Sequence, residues 1–129
     1  MQKQLSCAII GCGVIAPSHA SGYRKIAGVH LRWACDLVEE KARALARKYE
    51  IERTTRDYRD VLADPAVDAV SICTDHASHA EIAVAALDAG KHVLCEKALA
   101  ATPEGLDSMM AAGDRHPELV FSGVFQHRF

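Results

Sequence analysis

No stretch of this 129-residue chain approaches the ~20 consecutive apolar residues that cross a bilayer, so a membrane-spanning protein is not expected. Charge of one sign is also missing. Fifteen Lys and Arg stand against 17 Asp and Glu, a formal net charge of −2, which leaves no electrostatic footprint for DNA, RNA or anionic lipid. Aromatics are few: one Trp, three Tyr and three Phe. That scarcity, with 22 alanines, points to helices packed closely on a sheet rather than to an all-β sandwich. There is no Cys-x-x-Cys pair, and five cysteines make an odd count, so a disulfide scaffold is excluded and a reducing cytoplasm fits best. Low-complexity segments, repeats and linkers are absent. One domain over residues 1–129 is the natural expectation, since such a length buries roughly two thirds of the unfolded surface without staples.

What is present alternates. Gln4 to Ile10 is an apolar run ending in Gly11-Cys12-Gly13, followed by helical spacing from Val14 to Ala27 with Gly28 as a stop. Val29 to Cys35 reads as a strand and Glu39 to Tyr49 as an amphipathic helix. A short strand near Arg53-Thr54 and a helix from Asp57 to Ala63 lead to Asp64-Pro65. Further strands are predicted at Val67 to Cys73, Lys91 to Cys95 and Leu119 to Phe125. Helices are predicted between them, from Ser78 to Ala89 and from Pro103, capped by Thr102, to about His116. Strands alternating with helices imply right-handed βαβ units, hence an α/β, doubly wound, mostly parallel Rossmann sheet. Lys3 followed by the run from Leu5 to Ala16 imitates a secretory leader, but Gly11, Gly13 and Pro17 interrupt it and it carries the first strand of the pattern.

Gly11-Cys12-Gly13-Val14-Ile15-Ala16 is G-x-G-x-x-A between a strand and a helix. In that context Gly11 permits a tight turn, Gly13 lets backbone approach a pyrophosphate, and Ala16 keeps helix and strand close. Alone the pattern is weak. It gains weight from Asp36, twenty residues beyond Ala16 at the end of the second strand, where a carboxylate accepts from adenosine ribose hydroxyls. Leu37 and Val38 follow, with no cation beside Asp36 to meet a 2′-phosphate, so NAD is favoured over NADP; Lys41, five residues on, keeps that preference moderate.

With these residues in place, the chain resembles the Gfo/Idh/MocA group of sugar and cyclitol dehydrogenases. The likeness is carried by Gly11 to Ala16, Asp36, the segment from Ala69 to Ala100 and the closing VFQHRF from Val124. The resemblance implies that Lys97, of the pair Glu96-Lys97, sits near nicotinamide ribose and substrate hydroxyl as a catalytic cation. It likewise implies that Glu96, Thr74, His79 and Arg128 line the cofactor, with Val14 and Ile15 in the phosphate turn. Two positions depart from the family pattern: Ala98 stands where the family has Pro, and Asp75-His76 replaces the commoner Pro-Asn. The family places a substrate domain after the dinucleotide domain. These 129 residues are therefore expected to bind NAD, to meet a sugar or polyol only where that domain is supplied, and to be inactive alone. A non-catalytic dinucleotide module or partner-dependent subunit is the alternative. From another class, Cys12, Cys73 and Cys95 with His76 at adjacent strand ends suggest a metal or redox-thiol site, but the spacing is wrong and no metal is expected.

Overall fold

The computed structural model describes residues 5–13, 15–74, 76–95 and 103–123. Among these residues eleven elements follow one another: β1 (Leu5–Ile10), α1 (Ala16–Arg24), β2 (Val29–Cys35), α2 (Glu39–Tyr49), β3 (Arg53–Thr55), α3 (Tyr58–Ala63), β4 (Ala69–Ile72), α4 (His76–Asp88), β5 (His92–Cys95), α5 (Pro103–Arg115) and β6 (Phe121–Gly123). The six strands form one sheet in the order β3-β2-β1-β4-β5-β6, and every neighbouring pair is parallel. The chain thus starts in the middle, winds outward to one edge, returns and winds to the other.

The pleat of β1 shows how one strand serves two cores. Ala8 and Ile10 face a cluster built with Val61 of α3, Ile82, Ala83, Ala86 and Leu87 of α4 and Met109 and Ala112 of α5. Cys7 and Ile9 face the opposite side, where Ala16 and Ala20 of α1 and Ala42 and Leu45 of α2 pack. Alanine at the contact positions lets the helices approach the sheet, which is why the composition is rich in Ala and poor in aromatics. Among the described residues, Ser71 of β4 is the one fully buried polar residue of the sheet interior, and it is hydrogen-bonded to the Tyr23 hydroxyl of α1.

Boundaries departed from expectation where backbone chemistry overrides periodicity. Helix α1 stops at Arg24 rather than Ala27, because its last turn tightens: the Lys25 and Ile26 amides bond to the Gly22 and Tyr23 carbonyls. Helix α4 opens at His76, two residues early, β4 and β5 are shorter than their apolar runs, and β6 opens at Phe121 rather than Leu119. Lys91, expected to begin the fifth strand, precedes it. It is 5% exposed, and Nζ donates to the Asp64 and Val67 carbonyls at 2.8 Å each, closing the turn between α3 and β4. Burial lowers its pKa, against the pull of Asp64 and Asp68. Its charge is thus committed to backbone, a role invisible in periodicity.

Candidate functional site

The carboxyl ends of β1, β2, β3 and β4 surround a cleft of ≈ 770 Å³ lined by Gly11, Gly13, Asp36, Lys41, Arg56 and Thr74, among others. This is where ligands sit in doubly wound sheets, outside the strand ends at the point where winding reverses. The floor is fixed by backbone. The Gly11 amide donates to the Cys35 carbonyl at 2.7 Å and the Cys73 amide to the Ile10 carbonyl at 2.7 Å, so the ends of β2, β1 and β4 are tied level.

The two glycines of the turn do different work. Gly11 has φ +97°, and a Cβ there would stand 2.6 Å from the Cys73 carbonyl carbon. Only glycine satisfies both the left-handed backbone and the close approach to β4. Gly13 has nothing within 4 Å of the position a Cβ would take, and it lines the cleft. The open space beside it is where an approaching phosphate would need backbone without a side chain. Ala16 is fully buried in the α1 face of the core, holding helix to strand, while Ile15 caps α1 and is partly exposed. No side chain caps α1 and its first turn has no acidic residue, so the positive end of the helix carries no carboxylate of its own, although Pro17 has no amide hydrogen and the Ala16 and Ser18 amides bond to the Gly13 and Ile15 carbonyls at 3.3 and 3.1 Å.

Asp36 is tied into the same turn. Its Oδ2 accepts from the Cys12 amide at 2.7 Å and its Oδ1 from the Val38 amide at 2.8 Å. A carboxylate has roughly four acceptor positions, so each oxygen keeps one for a ribose hydroxyl. The site residues are therefore a glycine turn, an uncapped helix start and a carboxylate with acceptor capacity to spare, and they fit a dinucleotide. Thr74 lines the cleft beside Gly11, at the end of β4.

Of the other expected site residues, His79 lies in the first turns of α4. Its side chain, together with Val14, Glu96, Lys97 and Arg128, lies outside the described residues. Cys7, Cys12, Cys35 and Cys73 are buried thiols. Cys12 donates to the Cys35 carbonyl, and burial, with Asp36 adding to it, pushes its pKa up to about 12. Burial likewise raises Cys35 to about 12 and Cys7 to about 11, so all three stay protonated at neutral pH.

Sequence reasoning missed the outer wall. Arg56, Asp57, Tyr58 and Arg59 line the cleft together with Glu81 and Ile82 of α4. Tyr58 donates its hydroxyl to Glu81 at 2.8 Å, which bridges α3 to α4. The reason is topological: β3 pairs with β2 and Cys35 is level with Thr55, so the segment after Thr55 emerges beside Asp36, a neighbourhood set by strand pairing rather than by any local pattern.

Comparisons with known proteins agree with this fold. An inositol 2-dehydrogenase of Salmonella typhimurium is 34% identical over 127 residues, covering 97% of this chain and 38% of that protein. The crystal structure of myo-inositol 2-dehydrogenase from Lactobacillus plantarum superposes with a TM-score of 0.88 at 32% identity, over 95% of this chain and 36% of that one. A levoglucosan dehydrogenase in complex with NADH superposes with a TM-score of 0.89 at 32% identity, over 94% of this chain and 34% of that one. The chain thus spans little more than a third of the length of these relatives. The family model described as "Oxidoreductase family, NAD-binding Rossmann fold" matches residues 5–124, and the chain belongs to that family, Gfo/Idh/MocA, of which it carries the NAD-binding fold.

Proposed function

We propose that these residues form the cofactor half of a dehydrogenase that moves hydride between a secondary carbinol of a sugar or polyol and a nicotinamide. The observation that carries the reading is the Asp36 carboxylate, held by the Cys12 amide of the glycine turn at the mouth of the cleft. Gly11 and Gly13 shape the pyrophosphate position, the start of α1 faces it, and Asp36 takes the adenosine ribose. A bound nicotinamide supplies the hydride acceptor. The names of the relatives, inositol and levoglucosan dehydrogenases, supply the substrate class.

In this reading Lys97 follows β5, whose carboxyl end adjoins that of β4, and would serve as the cation that favours alkoxide character at the substrate hydroxyl. Glu96 and Arg128 would accompany it at the nicotinamide end, with Thr74 and His79 along the cofactor. Hydride transfer also requires substrate within ~3–3.5 Å of the nicotinamide carbon and a positioned base. The 129 residues alone are therefore expected to bind NADH without sustained turnover. The test is fluorescence titration with NADH, followed by assay with NAD against sugars, inositols and other polyols. Binding without turnover supports the reading. Sustained reduction of cofactor overturns the half-enzyme proposal, and absence of dinucleotide binding overturns the site itself.

A further inference from the structure

The outer wall of the cleft adds a second cation, Arg56, to the Lys41 already noted in the sequence. The Asp36 amide donates to the Thr55 carbonyl at 3.1 Å, so β3 ends level with the tip of β2 and the next residue, Arg56, emerges beside Leu37. Arg56 Nε donates to the Leu37 carbonyl at 3.3 Å, which anchors the guanidinium to the loop that carries Asp36. Its terminal nitrogens make no hydrogen bond or ion pair with a described residue. Lys41 of α2 lines the same cleft, and its ammonium likewise has no partner among the described residues.

The nearby acids are otherwise committed. Asp57 caps α3 by accepting from the Arg59 amide at 2.9 Å, and it is paired with the Arg59 guanidinium at 3.3 Å. Arg59 also lies over the Tyr58 ring, 5.2 Å from its centroid. Glu81 receives the Tyr58 hydroxyl. Asp36 shares its charge with two amides. Among the described residues, the charged side-chain groups of the cleft that keep no protein partner are thus the Lys41 ammonium and the terminal nitrogens of Arg56.

We propose that Arg56, with Lys41, forms a cationic rim beside Asp36 that accepts the 2′-phosphate of a phosphorylated dinucleotide, so that the site takes NADP as well as NAD. The inference rests on the dinucleotide reading of the cleft. A phosphate monoester carries nearly two charges and three acceptor oxygens, and a guanidinium already fixed by one nitrogen presents the rest of its fork at little further cost in side-chain entropy. Asp36 repels such a group, yet it keeps an acceptor for the neighbouring 3′-hydroxyl while the two cations offset its charge. Without Arg56 that offset is halved, and Asp36 should then select strongly for the unphosphorylated ribose.

The probes are ADP-ribose and 2′-phospho-ADP-ribose, which carry the adenosine end without nicotinamide, titrated by calorimetry at low and at physiological salt. The parent chain is expected to bind the two within about tenfold of one another, and the phosphorylated ligand should lose more affinity as salt rises. Arg56→Ala and Arg56→Gln should each weaken 2′-phospho-ADP-ribose by about tenfold or more and ADP-ribose by less than about threefold, while Arg56→Lys keeps part of the phosphate affinity. Arg56 is exposed and the melting temperatures of the variants should match the parent. A parent preference for ADP-ribose beyond about tenfold, or variants that weaken both ligands equally or neither, overturns the rim while leaving the dinucleotide site standing. A parent that binds neither ligand overturns the dinucleotide reading and the rim with it.

Discussion

The α-carbon of Gly11 faces the carbonyl of Cys73 so closely that a methyl group on it would lie 2.6 Å from the carbonyl carbon and 2.7 Å from the oxygen. Two residues on, a methyl on Gly13 would meet nothing within 4 Å. One glycine is thus required by the fold and the other only by whatever enters the cleft.

Gly11→Ala is expected to destabilise the chain by about 2–4 kcal/mol, from a strained φ of +97° together with displacement of backbone rather than of a flexible side chain. Gly13→Ala should change stability by less than about 0.5 kcal/mol while weakening NADH tenfold or more, because its methyl occupies the phosphate's approach. Urea denaturation and NADH titration of both variants separate the two effects. Equal NADH affinity for Gly13→Ala and parent would remove the phosphate assignment.

Glu50 closes α2 in the left-handed region at φ 56°, where glycine is the usual residue. Arg24, at the end of α1, donates to the Tyr49 carbonyl at 2.7 Å and pairs with Glu50 at 2.9 Å, so it stitches the two helices of one face together. The pair is exposed and contributes little, whereas relief of the backbone is worth about 1 kcal/mol. Glu50→Gly is therefore expected to raise stability by roughly 0.5–1 kcal/mol, read as an increased denaturation midpoint at unchanged m-value. A lowered midpoint would mean that the ion pair outweighs the strain.

Much of this architecture is legible without coordinates because its local rules agree. β2 and α2 have the boundaries that their patterns predict, from Val29 to Cys35 and from Glu39 to Tyr49. In α2 the first turn is acidic, the last is basic, and the buried face is Ala42 and Leu45. Gly11, Gly13, Ala16 and Asp36 converge because a strand, a turn and a helix in that order leave them little choice. Arg56 was hidden for a different reason. Its nearness to Asp36 arises only when β3 takes its place at the edge beyond β2, and nothing in a three-residue strand advertises its partner. Lys91 was hidden because periodicity treats a lysine at a strand start as solvated, whereas here two backbone carbonyls receive it.

Asp64 shapes the acid limb of stability. Burial opposes its ionisation, but hydrogen bonds from the Arg32 guanidinium, the Trp33 indole and the Ala66 amide prevail and hold the carboxyl at about 2. A carboxyl whose folded pKa lies below its unfolded value of about 3.9 stabilises the fold at higher pH, and that contribution is lost as pH falls from about 4 towards 2. Asp64→Asn should therefore lower stability at pH 7, with the deficit shrinking below pH 4. Trp33 is the chain's one tryptophan, so its fluorescence reports the transition directly. A deficit that stays constant from pH 7 to 2 would show that shape rather than charge is what Asp64 supplies.

Asp36 joins structure and binding in one carboxylate. Asp36→Ala removes the acceptor of the Cys12 and Val38 amides as well as that of a ribose. Loss of a charge-assisted hydrogen bond is worth about 1–3 kcal/mol, and NADH affinity should fall by that amount. Stability should fall too, by about 1 kcal/mol, because the two amides are left to water. NADPH, which Asp36 repels, should lose less, so the ratio of NADPH to NADH affinity rises. Asp36→Asn divides the two roles. Its single carbonyl oxygen can serve one amide, while its NH2 group faces the other donor, so the loop is only half restored and the charge is gone. If Asp36→Asn and Asp36→Ala show the same shift in the NADPH to NADH ratio, charge sets the preference between the two cofactors. If Asp36→Ala binds NADH as tightly as the parent while its melting temperature falls, the carboxylate serves only to hold the Cys12 turn to the α2 loop, and the ribose must be recognised elsewhere in the cleft.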